Sequence, residues 1–420
     1  MKYAIVTFGC RVNQADSLSI EDQLRQRGHV ASAPEDADVV VVNTCSVTAA
    51  ADQGARQTIR RLSRTSPDVK VVVTGCYATR RPDEVGALSN VVAVIANDAK
   101  ESLVKRLERD GKLTTAERFN GADGPCGMTL EPGVAGRTAL TLRVQTGCDE
   151  QCSYCIIPST RGTGRSRCLR DVIDDVRRAV EAGYRELTIT GVHLGSYGRD
   201  LGDGTDLTAL VRELSHWPDD VLFRISSLEP MDCTPTLIQL AAESPRIAPH
   251  FHLPLQHGSD VMLRAMKRPY TSAYFRSVVD AIHTRLPAAA IGTDLIVGFP
   301  GESDADFEAT AQMLESLPLA YAHVFPYSDR PGTAAAALAT KTDGNIIRDR
   351  ARTLREIAAR KSEQFRRNQV GRVMKALSVD DGTSVVTGNY LKVRIRNAQP
   401  RNRWVMVAIE EADPMSGTAL

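Results

Sequence analysis

Cys148, Cys152 and Cys155 stand together in the segment TGCDEQCSYCIIPSTRG. Thiolates at this spacing on one loop hold three irons of a 4Fe-4S cluster and leave the fourth iron open to a small ligand. An open iron is what S-adenosylmethionine (SAM) chemistry needs. The methionine amino and carboxylate groups chelate it, and one electron then cleaves the sulfonium bond to release a 5′-deoxyadenosyl radical. A zinc tetrahedron is the competing reading and requires a fourth ligand such as Cys168. Three further cysteines, Cys10 in TFGCRVNQ, Cys45 in VVNTCSVT and Cys76 in VVTGCYAT, each follow directly on an apolar run. If those runs are parallel neighbours, the three thiols meet at the C-terminal edge of one sheet, where α/β proteins build ligand sites. That predicts a second three-cysteine cluster. The alternative for each one singly is a small buried hydrophobe. Cys126, Cys168 and Cys233 show no such placement and are expected to be structural.

The elements needed to position these residues are legible as alternating strands and helices. From Met1 to about Arg109, the runs Tyr3 to Thr7, Val39 to Asn43, Val71 to Thr74 and Val91 to Ile95 alternate with helical stretches such as Ser17 to Arg27. That pattern predicts a parallel sheet covered on both faces. Scattered Gly and Pro from Asp110 to Gly136 mark a linker. A second alternation gives six strand candidates: Thr138 to Val144, Glu186 to Thr190, Leu222 to Ile225, His252 to Leu255, Ile291 to Val297 and Ala320 to Val324. It predicts a partial (β/α)6 barrel with its active site on loops at the strands' C-terminal ends. An Arg-rich helix follows from about Ile346 to Asn368. Val373 to Val379, Leu391 to Ile395 and Trp404 to Ile409 then read as a small β module. The expected organisation is therefore α/β, with an N-terminal domain over 1–110, a linker over 111–136, a barrel over 137–367 and a β domain over 368–420.

Length and composition agree with such a chain and remove several function classes. At 420 residues it exceeds what one core usually organises. An apolar content of 42% with 25% charged residues is ordinary for a soluble protein, and no run approaches the ~18 apolar residues of a membrane span. The start MKYAIVTFGC reads as a strand rather than a secretory signal, which predicts a cytoplasmic location. There the nine cysteines are better explained by metal or cluster ligation than by disulfides. A net charge of +1 leaves nucleic-acid binding to local patches. No paired-carboxylate, Ser-His-Asp or phosphate-loop pattern supports a hydrolase or a nucleotide-triphosphate enzyme.

The Cys148 segment resembles the radical SAM superfamily, and other segments look like that family's SAM pocket. The resemblance implies that Gly191, Val192 and His193 contact the SAM amino group, that Ser226, Ser227 and Glu229 lie near the ribose, and that Asp294 and Gly298 in DLIVGFPGE lie near the adenine, with Tyr154 beside it. From the residues alone, each Gly or Ser also reads as a turn or strand end. Two cysteine trios in this order, a barrel and a β-rich end resemble the methylthiotransferase family over nearly the whole chain. The resemblance implies two 4Fe-4S clusters with SAM as cosubstrate: sulfur is handled at the first cluster and the radical is made at the second. It also implies a C-terminal TRAM module that binds RNA. There Lys375, Lys392, Arg394, Arg396, Arg401 and Arg403 would attract phosphates, and Tyr390 and Trp404 either stack bases or pack the core.

Members of that family act on isopentenyladenosine in tRNA, threonylcarbamoyladenosine in tRNA, or a ribosomal-protein aspartate. TFGCRVNQADS, ITGVHLGSYGRD, RISSLEP, HLPLQHGSD and FPYSDRPGT are most similar to the threonylcarbamoyladenosine enzymes, with Phe8, Arg11 and His257 departing from their pattern. The partners implied are a tRNA anticodon loop and a flavodoxin- or ferredoxin-type reductant. A monomer is expected, and the sulfur donor is left open. A remote alternative is a non-catalytic RNA-binding protein with structural zinc.

Overall fold

The computed structural model describes residues 1–113 and 138–420. Cys126 and most of the expected linker lie outside the described residues. The first five strands, β1 (Lys2–Thr7), β2 (Val30–Ala31), β3 (Val39–Thr44), β4 (Lys70–Gly75) and β5 (Val91–Ile95), form one parallel sheet in the order β2-β1-β3-β4-β5. β3 reads VVVVNT and is buried along its whole length, as a central strand covered on both faces requires. In this order the chain reverses direction across the sheet between β1 and β3, which opens a crevice beyond their C-terminal ends. The helix expected from Ser17 begins earlier and spans Arg11–Gln26, because the chain turns sharply at Gly9 and leaves Cys10 as N-cap.

The central unit begins with β6 (Leu140–Arg143) and a short antiparallel pair, β7 (Gln145–Thr146) and β8 (Arg165–Ser166), that brackets the cysteine loop. It continues through β9 (Glu186–Thr190), β10 (Leu222–Ile225), β11 (His250–His252), β12 (Ala290–Val297) and β13 (Tyr321–Pro326). Two parallel three-stranded sheets, β10-β9-β6 and β11-β12-β13, meet at the parallel bridges Phe223–Ile247 and Ser227–His252. The result is the expected open six-stranded barrel, with one continuous apolar core between strands and helices. One strand is displaced from its expected place: β11 ends at His252 rather than running to Leu255. Pro254 has no N–H to continue a ladder.

After the helix Gly344–Arg367, five strands close a small barrel: β14 (Val373–Val379), β15 (Ser384–Thr387), β16 (Lys392–Ile395), β17 (Trp404–Ala412) and β18 (Met415–Ala419). Sequence periodicity predicts only three of these. SVVT and MSGTA are short and partly polar, and closure of the barrel rather than their own composition makes them strands. The module is fixed to the central barrel by Lys375 against Asp220, by Trp404 Nε1 donating to the Asp220 carbonyl at 2.8 Å, and by Arg224 Nη1 donating to the Gly388 carbonyl at 2.8 Å.

The N-terminal domain lies against the open edge of the central barrel and is held there by a buried carboxylate. Asp16 receives Lys100 Nζ at 2.9 Å, Arg143 Nη1 at 2.7 Å and Arg161 Nη2 at 3.1 Å. Burial alone pushes its carboxyl upward, yet Lys100, Arg161 and Arg143 hold it down to about 2. Its contribution is therefore complete above the ordinary value of 3.8 and is lost as the pH falls toward 2. Removing the charge would leave Lys100, only 4% exposed, without its counter-ion. Asp16→Asn is expected to cost about 3–5 kcal/mol, measured as a lowered denaturant midpoint.

Candidate active site

All three N-terminal thiols arrive at one edge of the first sheet. β1, β3 and β4 are adjacent, with Thr7, Asn43 and Thr74 in register, and Cys10, Cys45 and Cys76 follow two or three residues later. Gly9 makes the approach possible: at φ +92°, a Cβ there would stand 2.7 Å from Cys45 Sγ. Cys45 and Cys76 are buried and Cys10 is exposed. Burial, and then the neighbouring Cys10 and Cys76, push the Cys45 thiol up to about 11, partly offset by backbone N–H groups. Arg161 reaches in from the central barrel and bonds the Asn13 carboxamide oxygen at 2.5 Å, with Cys76 and Cys10 among the groups that raise its pKa. Asn97 Nδ2 lies 3.7 Å from Cys76 Sγ and donates to the Thr160 carbonyl at 2.9 Å. The first trio therefore borders the second domain.

The second trio lies on the loop after β7. Gly147, at φ +76°, lets this loop cross Thr163, whose carbonyl oxygen would be 1.8 Å from a Cβ. Cys148 Sγ is 3.9 Å from His193 Nδ1, and His193 Nε2 is 2.8 Å from Asp232 Oδ2. Burial pulls the His193 pKa down, but bonding to Asp232 and Cys148 more than reverses this and brings it to about 9. Cys152 Sγ accepts from Arg268 Nη1 at 3.0 Å, while Arg268 also bonds Glu229 and Tyr270. Burial drives the Cys155 thiol up to about 12, with the Ile157 N–H pulling the other way and Cys152 and Cys148 adding to the rise.

Burial raises the Cys45 and Cys155 thiols, and an arginine stands beside each trio. A cationic centre bound there would stabilise both as thiolates. Among the described residues, the group of three His, Cys, Asp or Glu side chains whose ligand atoms all lie within 4.8 Å is His252, Asp294 and His323, with no cysteine.

The remaining expected SAM-pocket residues fall around the second trio or along the barrel lumen. Gly191 and Val192 follow β9, and the His193 amide donates to Gln145 Oε1 at 2.9 Å. Ser226 is buried beyond β10, Ser227 is exposed, and Glu229 is tied to Arg268. Tyr154 packs against the buried Met262, Met266, Phe299 and Ala335, and with Cys155, Gln256, Asp294 and Phe325 it lines a cavity of about 220 Å³. Thr48 of the N-terminal domain lines the same cavity. Asp294 is bonded by His252 Nε2 at 3.1 Å and His323 Nδ1 at 3.0 Å. The Gly298 amide donates to Glu302 Oε2 at 2.7 Å and so faces a structural network rather than the lumen. His257 belongs to that network and bonds Glu302 at 2.9 Å. A further cavity of about 610 Å³ lies between Asp220 and Trp404 at the junction with the C-terminal module and is lined by no cysteine.

Four side chains at the site carry no local sequence signal. Arg161 and Arg268 attend the thiols, Asp232 orients His193, and Arg330 joins Asp52 and Ser46 across the domain boundary. Of the basic residues expected to meet RNA, Lys375 pairs with Asp220, Lys392 with Asp380 at 2.6 Å and Arg396 with Glu410 at 3.0 Å. Arg401 Nε donates to Thr138 Oγ1 at 3.2 Å. Arg394 and Arg403 are exposed. Cys233 is buried, and Cys168 is exposed at the start of the helix Leu169–Glu181.

A family model described as uncharacterized protein family UPF0004 matches residues 2–97, and the radical SAM superfamily model matches residues 142–314. The threonylcarbamoyladenosine tRNA methylthiotransferase MtaB of Aquifex aeolicus (strain VF5) is 37% identical over 415 residues, covering 97% of this chain and 100% of that protein. The chain belongs to the radical SAM methylthiotransferase family. Within that family, the tRNA-2-methylthio-N(6)-dimethylallyladenosine synthase of Thermobifida fusca (strain YX) is also similar, at 31% identity over 97% of this chain and 83% of that one. Among solved structures, the radical SAM methyltransferase TsrM of Kitasatospora setae, with cobalamin and a [4Fe-4S] cluster bound, shares the fold at a TM-score of 0.56. It is 15% identical and covers 80% of this chain and 73% of its own. Family membership accounts for the two domains that carry the trios: the first lies in the UPF0004 match, the second in the radical SAM match.

Proposed function

We propose that this protein transfers a methylthio group to C2 of N6-threonylcarbamoyladenosine beside the tRNA anticodon, using two SAM molecules and two 4Fe-4S clusters. The observation that carries this reading is the pair of thiol trios, one on each side of a single domain boundary. Cys148, Cys152 and Cys155 hold the SAM-binding cluster, and Cys10, Cys45 and Cys76 hold the one that handles sulfur. When bound, the first of these supplies the electron that cleaves SAM to a carbon radical able to attack a C–H bond without useful acidity. Around it, Arg268 neutralises the Cys152 side, and His193 is fixed by Asp232 beside Cys148. Tyr154 and Asp294 shape the cavity in which the adenosine moiety lies. The target base leaves the anticodon stack to enter the barrel, at the modest cost a single-stranded loop allows. The exposed Arg394 and Arg403 of the C-terminal module attract the RNA backbone.

The similarity of the threonylcarbamoyladenosine enzymes supports this substrate over the dimethylallyl one. A flavodoxin- or ferredoxin-type protein serves as electron source, and the reaction belongs in the cytoplasm with its tRNA. Among the described residues no helix is long and apolar enough to cross a membrane. Mass spectrometry of tRNA nucleosides from a strain lacking this gene tests the substrate. The 2-methylthio form of threonylcarbamoyladenosine is expected to disappear, with the unmodified form accumulating. Loss of 2-methylthio-isopentenyladenosine instead would assign the enzyme to the other substrate.

A further inference from the structure

The lateral opening of the central barrel holds a cation that the clusters do not explain. Arg11, the first residue of the helix Arg11–Gln26, lies with its guanidinium carbon 5.4 Å from the centroid of the Tyr390 ring. It borders a cavity of about 280 Å³ where the N-terminal domain, the barrel and the C-terminal module meet. The other charges around this cavity are already paired. Glu186 binds Arg224 at 2.8 Å and Asp380 binds Lys392 at 2.6 Å. Among the described residues Arg11 has no carboxylate partner, so the cavity carries one surplus positive charge.

The surroundings suit a polar ligand rather than an apolar one. Arg224 lies against the same Tyr390 ring, 4.6 Å from its centroid, and His250 is buried with no hydrogen-bond partner at Nδ1. The Arg11 charge reaches Tyr321 and His250. Tyr321 Oη lies 2.9 Å from His250 Nε2 and 3.1 Å from His252 Nδ1, and His252 bonds Asp294, which lines the cavity beside Cys155. A line of polar side chains thus runs through the lumen from Arg11 to that cavity. Arg11 is also the immediate neighbour of Cys10.

Resting on the substrate reading above, we propose that Arg11 is the specificity-determining residue that binds the free carboxylate of the N6-threonylcarbamoyl group. The ligand chemistry is an oxyanion received by a planar guanidinium. An isopentenyl group has no such oxyanion, and binding it would bury the Arg11 charge unpaired, which disfavours that substrate. Tyr390 supplies the flat surface along which the guanidinium is held.

The test compares methylthiolation of tRNA carrying N6-threonylcarbamoyladenosine with the same tRNA in which that carboxylate is a methyl ester. The wild type, Arg11→Ala and Arg11→Lys are each checked for iron content. The wild type is expected to prefer the free acid by about ten- to a hundredfold in kcat/KM, the range of a charge-assisted contact. Arg11→Ala is expected to lose that preference, and Arg11→Lys to keep part of it. A wild type indifferent to esterification would overturn the assignment without any variant. An Arg11→Ala enzyme slowed equally on both tRNAs would overturn it too, pointing to an RNA phosphate or a packing role. If the wild type left the free-acid tRNA unmodified, the substrate reading itself would fail.

Discussion

Cys148→Ala is expected to abolish reductive cleavage of SAM, with no 5′-deoxyadenosine detected above an enzyme-free control and no methylthiolated nucleoside formed. Cys148, Cys152 and Cys155 share one short loop, and among the described residues no spare thiol on that loop can replace the lost ligand. Cys168 begins a separate helix and Cys233 is buried in the barrel core. A cluster with an open iron needs three thiolates, and two cannot define which iron remains open. The substitution should be well tolerated by the fold, since the Gly147 turn and the Val144 strand end depend on backbone contacts. The assay is chromatography of the quenched anaerobic reaction, and a variant that still made 5′-deoxyadenosine at the wild-type rate would remove the second trio from its role.

Cys10→Ala is expected to separate the two halves of the reaction. SAM cleavage persists at a substantial fraction of the wild-type rate, while methylthiolated tRNA falls below detection. The physical reason is that the trios sit on different elements: Cys10 caps a helix of the first domain, and nothing on the Cys148 loop requires its thiol. Arg161 is the shared side chain, and its bonds to Asn13 and Asp16 remain when the Cys10 thiol is removed. Mass spectrometry of the tRNA digest beside 5′-deoxyadenosine quantification reads both halves in one experiment. Full product from Cys10→Ala would show that the first trio is not needed for sulfur transfer.

Much of this site is legible in the sequence because its key residues are local to strand ends. A run such as VVVVNTC fixes both the strand and the place where the cysteine emerges, and three such runs in a parallel sheet bring the thiols together without any long-range information. The Cys148 loop is still more local. What the sequence does not show are partners recruited from afar. Arg268 meets Cys152 across 116 positions and Arg161 meets Asn13 across 148, and an arginine in an ordinary polar stretch gives no sign of either. The same holds for Arg11, which lies ahead of the helix expected from Ser17 and which only the arrangement of three domains aims into a lumen. In the C-terminal module, the alternation in Val373–Val379 is visible. The polar strands Ser384–Thr387 and Met415–Ala419 owe their conformation to barrel closure. Lys375 reads as a free base for RNA, whereas the fold commits it to Asp220.

The central claim is that two separate cysteine trios each hold an iron-sulfur cluster. Iron and sulfide quantification after anaerobic reconstitution, on the wild type and on Cys148→Ala/Cys152→Ala/Cys155→Ala, tests it most directly. Two 4Fe-4S centres predict about eight irons per wild-type chain, falling to about four in the triple variant. About four irons in the wild type, falling to none, would contradict the account: the first trio would then be three packed thiols, and the case for methylthio transfer at that edge would go with it.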